Sequence, residues 1–202
     1  MLNISQLKIV REGKVLSYEL QLAEGKILAI QGVSGVGKST LLSAIAGFVE
    51  PTSGTINWKG ERLTNIPVEA RPVSYLFQDH NLFEHLTVMG NLSLGFDGDV
   101  PHSELIDAAN ELKVLDQLEK RPGELSGGQR QRISVIRTLL RPEPLVLLDE
   151  PFAELDPETR KLTVKWVKKT INAKGKTVLL VTHQSEDADQ LADECLVIDA
   201  IV

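Results

Sequence analysis

Apolar positions along this 202-residue chain follow two periods. Near its start they alternate with polar ones. Leu2 and Ile4, then Leu7 and Ile9, predict a first strand, and residues 15–22 a second, with Arg11-Glu12-Gly13-Lys14 turning between them. Ile27-Leu28-Ala29-Ile30 is continuously apolar and reads as a buried strand. Residues 41–46 read as a helix. Pro51-Thr52-Ser53-Gly54 is a turn into a short strand, 55–58, closed by Lys59-Gly60. Residues 73–77 form another buried strand, ending at Gln78.

From about Leu86 to Leu140 the period becomes helical. Ser103 opens a helix with Leu105, Ile106, Ala109 and Leu112 on one side, which Leu115 and Leu118 continue or follow with another. Arg121-Pro122-Gly123 breaks the run. Ser126 opens a further helix carrying Ile133, Val135, Ile136, Leu139 and Leu140, which stops before Pro142. Strand (145–148), helix (157–173), strand (177–181), a short helix capped by Ser185 and a last strand (195–198) complete the chain. Such alternation predicts a central parallel sheet. The strands near the start supply an antiparallel layer beside it, and the helical block is an insertion.

Composition narrows the function classes. At 42% hydrophobic and 25% charged the chain is an ordinary globular domain, and its net charge of −6 argues against nucleic acid as a partner. Cys195 is the single cysteine and lies in an apolar run, so a buried thiol is expected and a disulfide framework is excluded. The first residues lack the pattern of a secretory signal, and no apolar run approaches the ~20 residues of a membrane span. A cytosolic location is therefore expected.

Three stations carry chemistry. Gly32-Val33-Ser34-Gly35-Val36-Gly37-Lys38-Ser39-Thr40 follows a predicted strand and opens a predicted helix, which is the setting of a phosphate-binding P-loop. Its glycines let backbone N–H groups turn inward on phosphate oxygens, and the helix start adds more. Lys38 brings a point charge to the terminal phosphates, and the Ser39 hydroxyl suits Mg²⁺. The second station, Asp149-Glu150, ends the strand 145–148. Asp149 can reach the Mg²⁺ shell, and Glu150 can orient or deprotonate an attacking water. Third, Leu125-Ser126-Gly127-Gly128-Gln129 is a second glycine-rich helix start able to approach phosphate. The two helix ends either share one nucleotide or serve different copies.

Gly32 to Thr40, then Leu125 to Gln129, then Asp149-Glu150-Pro151, then His183, in that order, closely resemble the ATP-binding cassette family over essentially the whole chain. The resemblance implies a single α/β domain over 1–202, of the P-loop NTPase (RecA-like) type. Its mostly parallel sheet and antiparallel β edge layer would span about 1–85 and 142–202, with an inserted α-helical subdomain at about 86–141. It further implies that Gln78 contacts Mg²⁺ and senses a membrane subunit, that Glu150 is the catalytic glutamate and that His183 reaches the γ-phosphate. Ser126, Gly127, Gly128 and Gln129 would cap the ATP of a second, partner cassette, most simply in a homodimer. Asp156 resembles the D-loop aspartate, or simply caps the helix after it; Ala153 and Glu154 replace the family's usual serine and alanine. No aromatic residue stands where the family stacks one on adenine, which leaves Arg11 as the candidate and Tyr18 as a competitor.

The segments Arg71-Pro72-Val73-Ser74, His85-Leu86-Thr87-Val88 and Arg121-Pro122-Gly123-Glu124 are similar to those of bacterial importer cassettes, closest to the thiamine-transporter subunits. Iron, sulfate and polyamine importers share much of this pattern, and an exporter cassette stays open. That class implies an integral membrane permease seated near 78–83, with Leu82 and Phe83 as apolar contacts. A periplasmic binding protein would act indirectly, and the cassette would lie at the inner face of the membrane. Many importer cassettes carry a regulatory C-terminal domain, which is not expected here. A DNA-repair cassette would need a long coiled coil between Lys38 and Ser126, and a translation factor two cassettes.

Overall fold

A computed structural model describes residues 1–11, 13–79, 81–96 and 98–198. Glu12 in the first turn, His80 after the predicted strand end at Gln78, and the sequence from 199 onward lie outside the described residues. In chain order the elements are β1 (Leu2–Arg11), β2 (Lys14–Leu22), β3 (Ile27–Gln31), α1 (Lys38–Ala46), β4 (Ser53–Trp58), β5 (Glu61–Arg62) and β6 (Val73–Leu76). Three helices follow, α2 (Val88–Leu92), α3 (His102–Glu111) and α4 (Gly127–Leu140). Then come β7 (Leu145–Asp149), α5 (Pro157–Lys174), β8 (Thr177–Val181), α6 (Ser185–Leu191) and β9 (Glu194–Val197).

The strands form two sheets. One is antiparallel in the order β2-β1-β4-β5; the other has the order β6-β7-β8-β3-β9 and every pairing in it is parallel. The apolar runs of the central strands are explained by two cores, one on each face of the parallel sheet. Leu28 and Ile30 of β3, Leu145 and Leu147 of β7, and Leu179 and Val181 of β8 pack toward α1 and the antiparallel sheet. Ile27, Val146, Leu148, Val178 and Leu180 point the other way, into a core shared with α2 to α5. Successive side chains of a strand leave opposite faces, so a strand covered on both sides needs apolar residues at every position. Truncating one of these leucines to alanine would cost about 2–5 kcal/mol.

Between β6 and β7 every described helix or strand is helical. No helix among the described residues is long and apolar enough to cross a membrane. Four local expectations are corrected. Helix α3 starts at His102 behind Pro101, and its Ile106 faces solvent while Leu105, Ala109 and Leu112 are buried. Neighbouring helical residues sit about 100° apart, so Leu105 and Ile106 cannot both face one core. Of the two expected continuations the second holds: Leu115 opens a separate 3₁₀ turn, Leu115–Gln117. Ser185 is the first residue of α6, and Gln184 holds the cap position without a side-chain bond. Cys195 is exposed, because β9 is an edge strand whose only partner among the described residues is β3; its Sγ lies 3.4 Å from Gln31 Oε1.

Candidate active site

Parallel strands bring their C-terminal ends to one edge of the sheet. Out of that edge run the P-loop from β3, Gln78 after β6, Asp149 and Glu150 at β7, and His183 after β8. They line one cleft of about 370 Å³ with Ser34, Gly35, Gly37, Lys38, Ser39 and Thr40, joined by Arg11, Lys14 and Leu16 from the β1–β2 hairpin. Gly32 and Val36, also assigned to the loop, lie outside the lining; Val36 is buried and Gly32 contributes its carbonyl.

The loop is braced from below. Gly37 caps α1 with φ at 108°, in the left-handed region that favours glycine. A Cβ there would stand 2.4 Å from the Tyr18 hydroxyl oxygen and 2.8 Å from Leu16 Cδ1. Tyr18 donates its hydroxyl to Gly37 O at 2.9 Å, and burial pushes its pKa up to about 12. Tyr18 is thus a buried support of the loop, not a platform for a base. No side chain among the described residues caps the N-terminus of α1, so its first N–H groups stay available to an anion. Lys38, only 5% exposed, donates to Gly32 O at 2.8 Å and Val33 O at 3.0 Å. An ammonium has three donors, which leaves one for phosphate. Burial lowers the Lys38 pKa, opposed by the Glu150 and Asp149 charges.

The two carboxylates face different ways because the backbone turns between them. Asp149 ends β7 in register with Val181, and Glu150 takes φ of 49° while donating its N–H to Val181 O at 3.0 Å. A non-glycine residue in this region is strained by about 1–2 kcal/mol, a feature that clusters at functional sites. Asp149 is nearly buried, its Oδ2 accepting from the Tyr75 hydroxyl at 3.5 Å, and the nearby Ser39 hydroxyl acts to lower its pKa. Among the described residues its Oδ1 has no hydrogen-bond partner, nor has Glu150 Oε1. Burial raises both carboxyl pKa values. His183 Nε2 lies 3.2 Å from Glu150 Oε1, close enough for an ion pair yet out of line for a hydrogen bond.

An orphaned, buried Asp149 oxygen beside a hydroxyl and the Gln78 amide in the same cleft is a hard-oxygen donor set that fits Mg²⁺. No group of three or more His, Cys, Asp or Glu among the described residues could cage a metal, so such an ion would share its ligands with phosphate.

At the cleft's lip, Arg11 is exposed and its Nη1 donates to Thr40 Oγ1 at 3.4 Å. Lys14 and Leu16 join it there and were not foreseen; the register pairing Arg11 with Lys14 across the hairpin was the available signal. Asn91 was also missed. It is fully buried and hydrogen-bonds both the N–H and the carbonyl of Phe83, fixing the turn beyond Gln78.

Residues 126–129 lie outside this cleft. Ser126 caps α4, its Oγ accepting from Gln129 N at 3.3 Å, while Gln129 Oε1 accepts from Ser126 N at 2.9 Å. Gly127 and Gly128 pack on the loop after β7: a Cβ at Gly128 would stand 3.2 Å from Glu154 O. The α4 residue Gln131 donates to Glu150 O at 3.4 Å, which ties α4 to the backbone of that residue. Asp156 likewise stands outside the cleft. It caps α5, accepting from Glu158 N and Thr159 N, and its hydrogen bonds to Thr159 hold its carboxyl below the usual range.

Comparison with known proteins agrees with this geometry. The ABC transporter family model matches residues 15–153. The thiamine import ATP-binding protein ThiQ of Vibrio cholerae is 40% identical over 199 residues, 96% of this chain and 84% of that protein. The protein of the same name from Escherichia coli K12 is 39% identical over 203 residues, 98% of this chain and 88% of that one. Among solved structures, an ATP-binding subunit of an ABC transporter superposes with a TM-score of 0.88 at 26% identity, covering 100% of this chain and 88% of that one. A dimeric bacterial ABC transporter cassette shares the fold, with a TM-score of 0.87 at 24% identity over 99% of this chain and 95% of its own. With its P-loop, paired carboxylates and histidine gathered at one sheet edge, the chain belongs to the ABC transporter family, as one of its ATP-binding and ATP-hydrolysing cassettes.

Proposed function

We propose that this chain powers thiamine import, working as a pair of identical cassettes beneath separate membrane subunits at the cytoplasmic face. The observation that carries the hydrolytic part is the pair of buried oxygens, Asp149 Oδ1 and Glu150 Oε1, without hydrogen-bond partners among the described residues, on two residues that line the P-loop cleft. The cargo rests on the likeness to the thiamine import proteins.

The P-loop N–H groups and Lys38 bind the ATP phosphates. Mg²⁺ would be held by Ser39, Asp149 and Gln78, and it supplies neutralisation of phosphate charge. Glu150 holds the attacking water and takes its proton, helped by burial, which raises its pKa. His183, beside Glu150, meets the terminal phosphate. Arg11 stacks its guanidinium plane on the base, with Leu16 as the apolar neighbour. Ser126, Gly127 and Gly128 of one cassette close over the ATP of the other, and Asp156 orders the loop between the two.

The membrane subunits seat in a second cleft of about 360 Å³, between the parallel sheet and the helical segment, lined by Phe48, Phe77 and Phe83 among others. Phe83 is 49% exposed there, whereas Leu82 is half-buried against the protein's own core. Gln78 begins the segment that joins the two clefts.

The test is uptake of labelled thiamine in a bacterium deprived of its own thiamine-import cassette. Restored uptake that Glu150→Gln abolishes supports the proposal. A chain that hydrolyses ATP when purified yet restores no uptake serves another cargo.

A further inference from the structure

His183 is half-exposed, while Thr182 just before it is buried. Thr182, 2% exposed, donates its hydroxyl to Asp187 Oδ2 at 3.1 Å and accepts the N–H of Gln184 at 3.1 Å on the same oxygen. One hydroxyl therefore clasps both flanks of the histidine. Asp187 is itself 2% exposed and is gripped by both arms of a fork: Arg160 Nε donates to its Oδ1 at 2.9 Å, and Arg160 Nη2 to its Oδ2. A planar guanidinium on a carboxylate fixes both in orientation, which a lone amine would not.

Arg160 sits in the first turn of α5, its N–H on the carbonyl of Asp156 at 2.8 Å. The chain between Glu150 and Asp156 is the loop on which Gly127 and Gly128 rest. The path is thus a closed ring: Glu150, the loop, Asp156, Arg160, Asp187, Thr182, His183 and, across 3.2 Å, Glu150 again. A structural account needs only the ion pair to fasten α6 to α5. The carboxylate's bond from Thr182, and that hydroxyl's bond from the N–H of Gln184, extend the hold to both sides of the histidine.

We infer that Thr182 and Asp187 are positioning residues for hydrolysis: Asp187, oriented by Arg160, holds the Thr182 hydroxyl and so sets His183 against Glu150 and the terminal phosphate. The inference rests on the roles proposed above for Glu150 and His183. It also couples the histidine to the loop that a second cassette would press upon.

Thr182→Val tests it, because it deletes the hydroxyl and spares the buried ion pair. In the purified chain with ATP and Mg²⁺, ATP affinity should stay within about twofold of the parent, while kcat falls roughly tenfold or more, the scale of a misplaced catalytic group. Thr182→Ser, which keeps the hydroxyl, should restore kcat. Equal kcat in the Val and Ser variants overturns the inference, as does a loss confined to ATP affinity. Arg160→Lys should lower kcat in the same way, since a single ammonium cannot orient both carboxylate oxygens; parental kcat in that variant counts against the role of Arg160. His183→Ala runs alongside. If it leaves kcat intact, the reading of His183 fails; if it lowers kcat while Thr182→Val does not, only the positioning role is lost.

Discussion

The two glycine-rich helix starts of this chain have opposite economies. At α1 the loop is braced, its lysine buried, and no side chain among the described residues caps the helix, so donors are held ready for an anion. At α4 the first turn is satisfied within itself by Ser126 and Gln129, and it stands outside the nucleotide cleft. A site walled by its own chain can bind ligand alone. A capped, open helix end binds weakly alone and contributes when another surface brings the ligand to it. The difference supports the proposal that the cleft is one half of a composite site.

Several variants would break or sharpen that contrast. The largest effect is expected from Glu150→Gln, which should lower ATP hydrolysis by about 10²–10⁴-fold, the range of a general base. Burial raises the Glu150 pKa in the fold, so its ionised form costs stability. That cost is complete above the raised pKa and vanishes below the ordinary carboxylate value. Glu150→Gln should therefore unfold at a higher temperature than the parent at pH 7, and the gap should close as the pH falls below the unfolded value. Hydrolysis by the parent should fall with acid through a midpoint above that of a free glutamate.

Next comes a matched pair. Gly37→Ala forces Cβ into Tyr18 and Leu16 at a left-handed φ, and should destabilise by about 2–4 kcal/mol while abolishing ATP binding. Gly128→Ala meets only Glu154 O at 3.2 Å and Leu155 Cδ2 at 3.6 Å in a helical turn. It should change stability by less than about 1 kcal/mol and leave ATP binding by the single chain intact. Chemical unfolding with nucleotide titration reads both. Equal losses of ATP affinity would erase the contrast. The smallest effect belongs to Tyr18→Phe. Losing its bond to Gly37 O should cost about 0.5–1.5 kcal/mol and weaken ATP binding several-fold, by calorimetry.

The parts legible in the sequence were those with a local signature. Continuous apolar runs marked β3, β7 and β8, because strands covered on both faces cannot afford polar positions. Lys38, Ser39, Asp149 and Glu150 could be placed because each follows such a strand in a parallel sheet. What stayed hidden depends on distant partners. Tyr18 reads as an ordinary strand residue until its hydroxyl is seen on Gly37, and Asp187 as a helix-start acid until Arg160 is seen on it. Cys195 was misjudged because an apolar run does not reveal that its strand lies at an edge. Ile106 was assigned to the wrong side of a helix whose start was misplaced by one residue.

The central claim, that the P-loop cleft is completed by residues 126–128 of a second copy, is tested most directly by Ser126→Arg placed in the Glu150→Gln background. Nucleotide affinity and mass are measured together by sedimentation with ATP and Mg²⁺. Glu150→Gln alone should sediment as an ATP-bound dimer. The double variant should bind ATP with unchanged affinity and remain a monomer. A double variant that no longer binds ATP, or that dimerises as readily as the single one, would contradict the account.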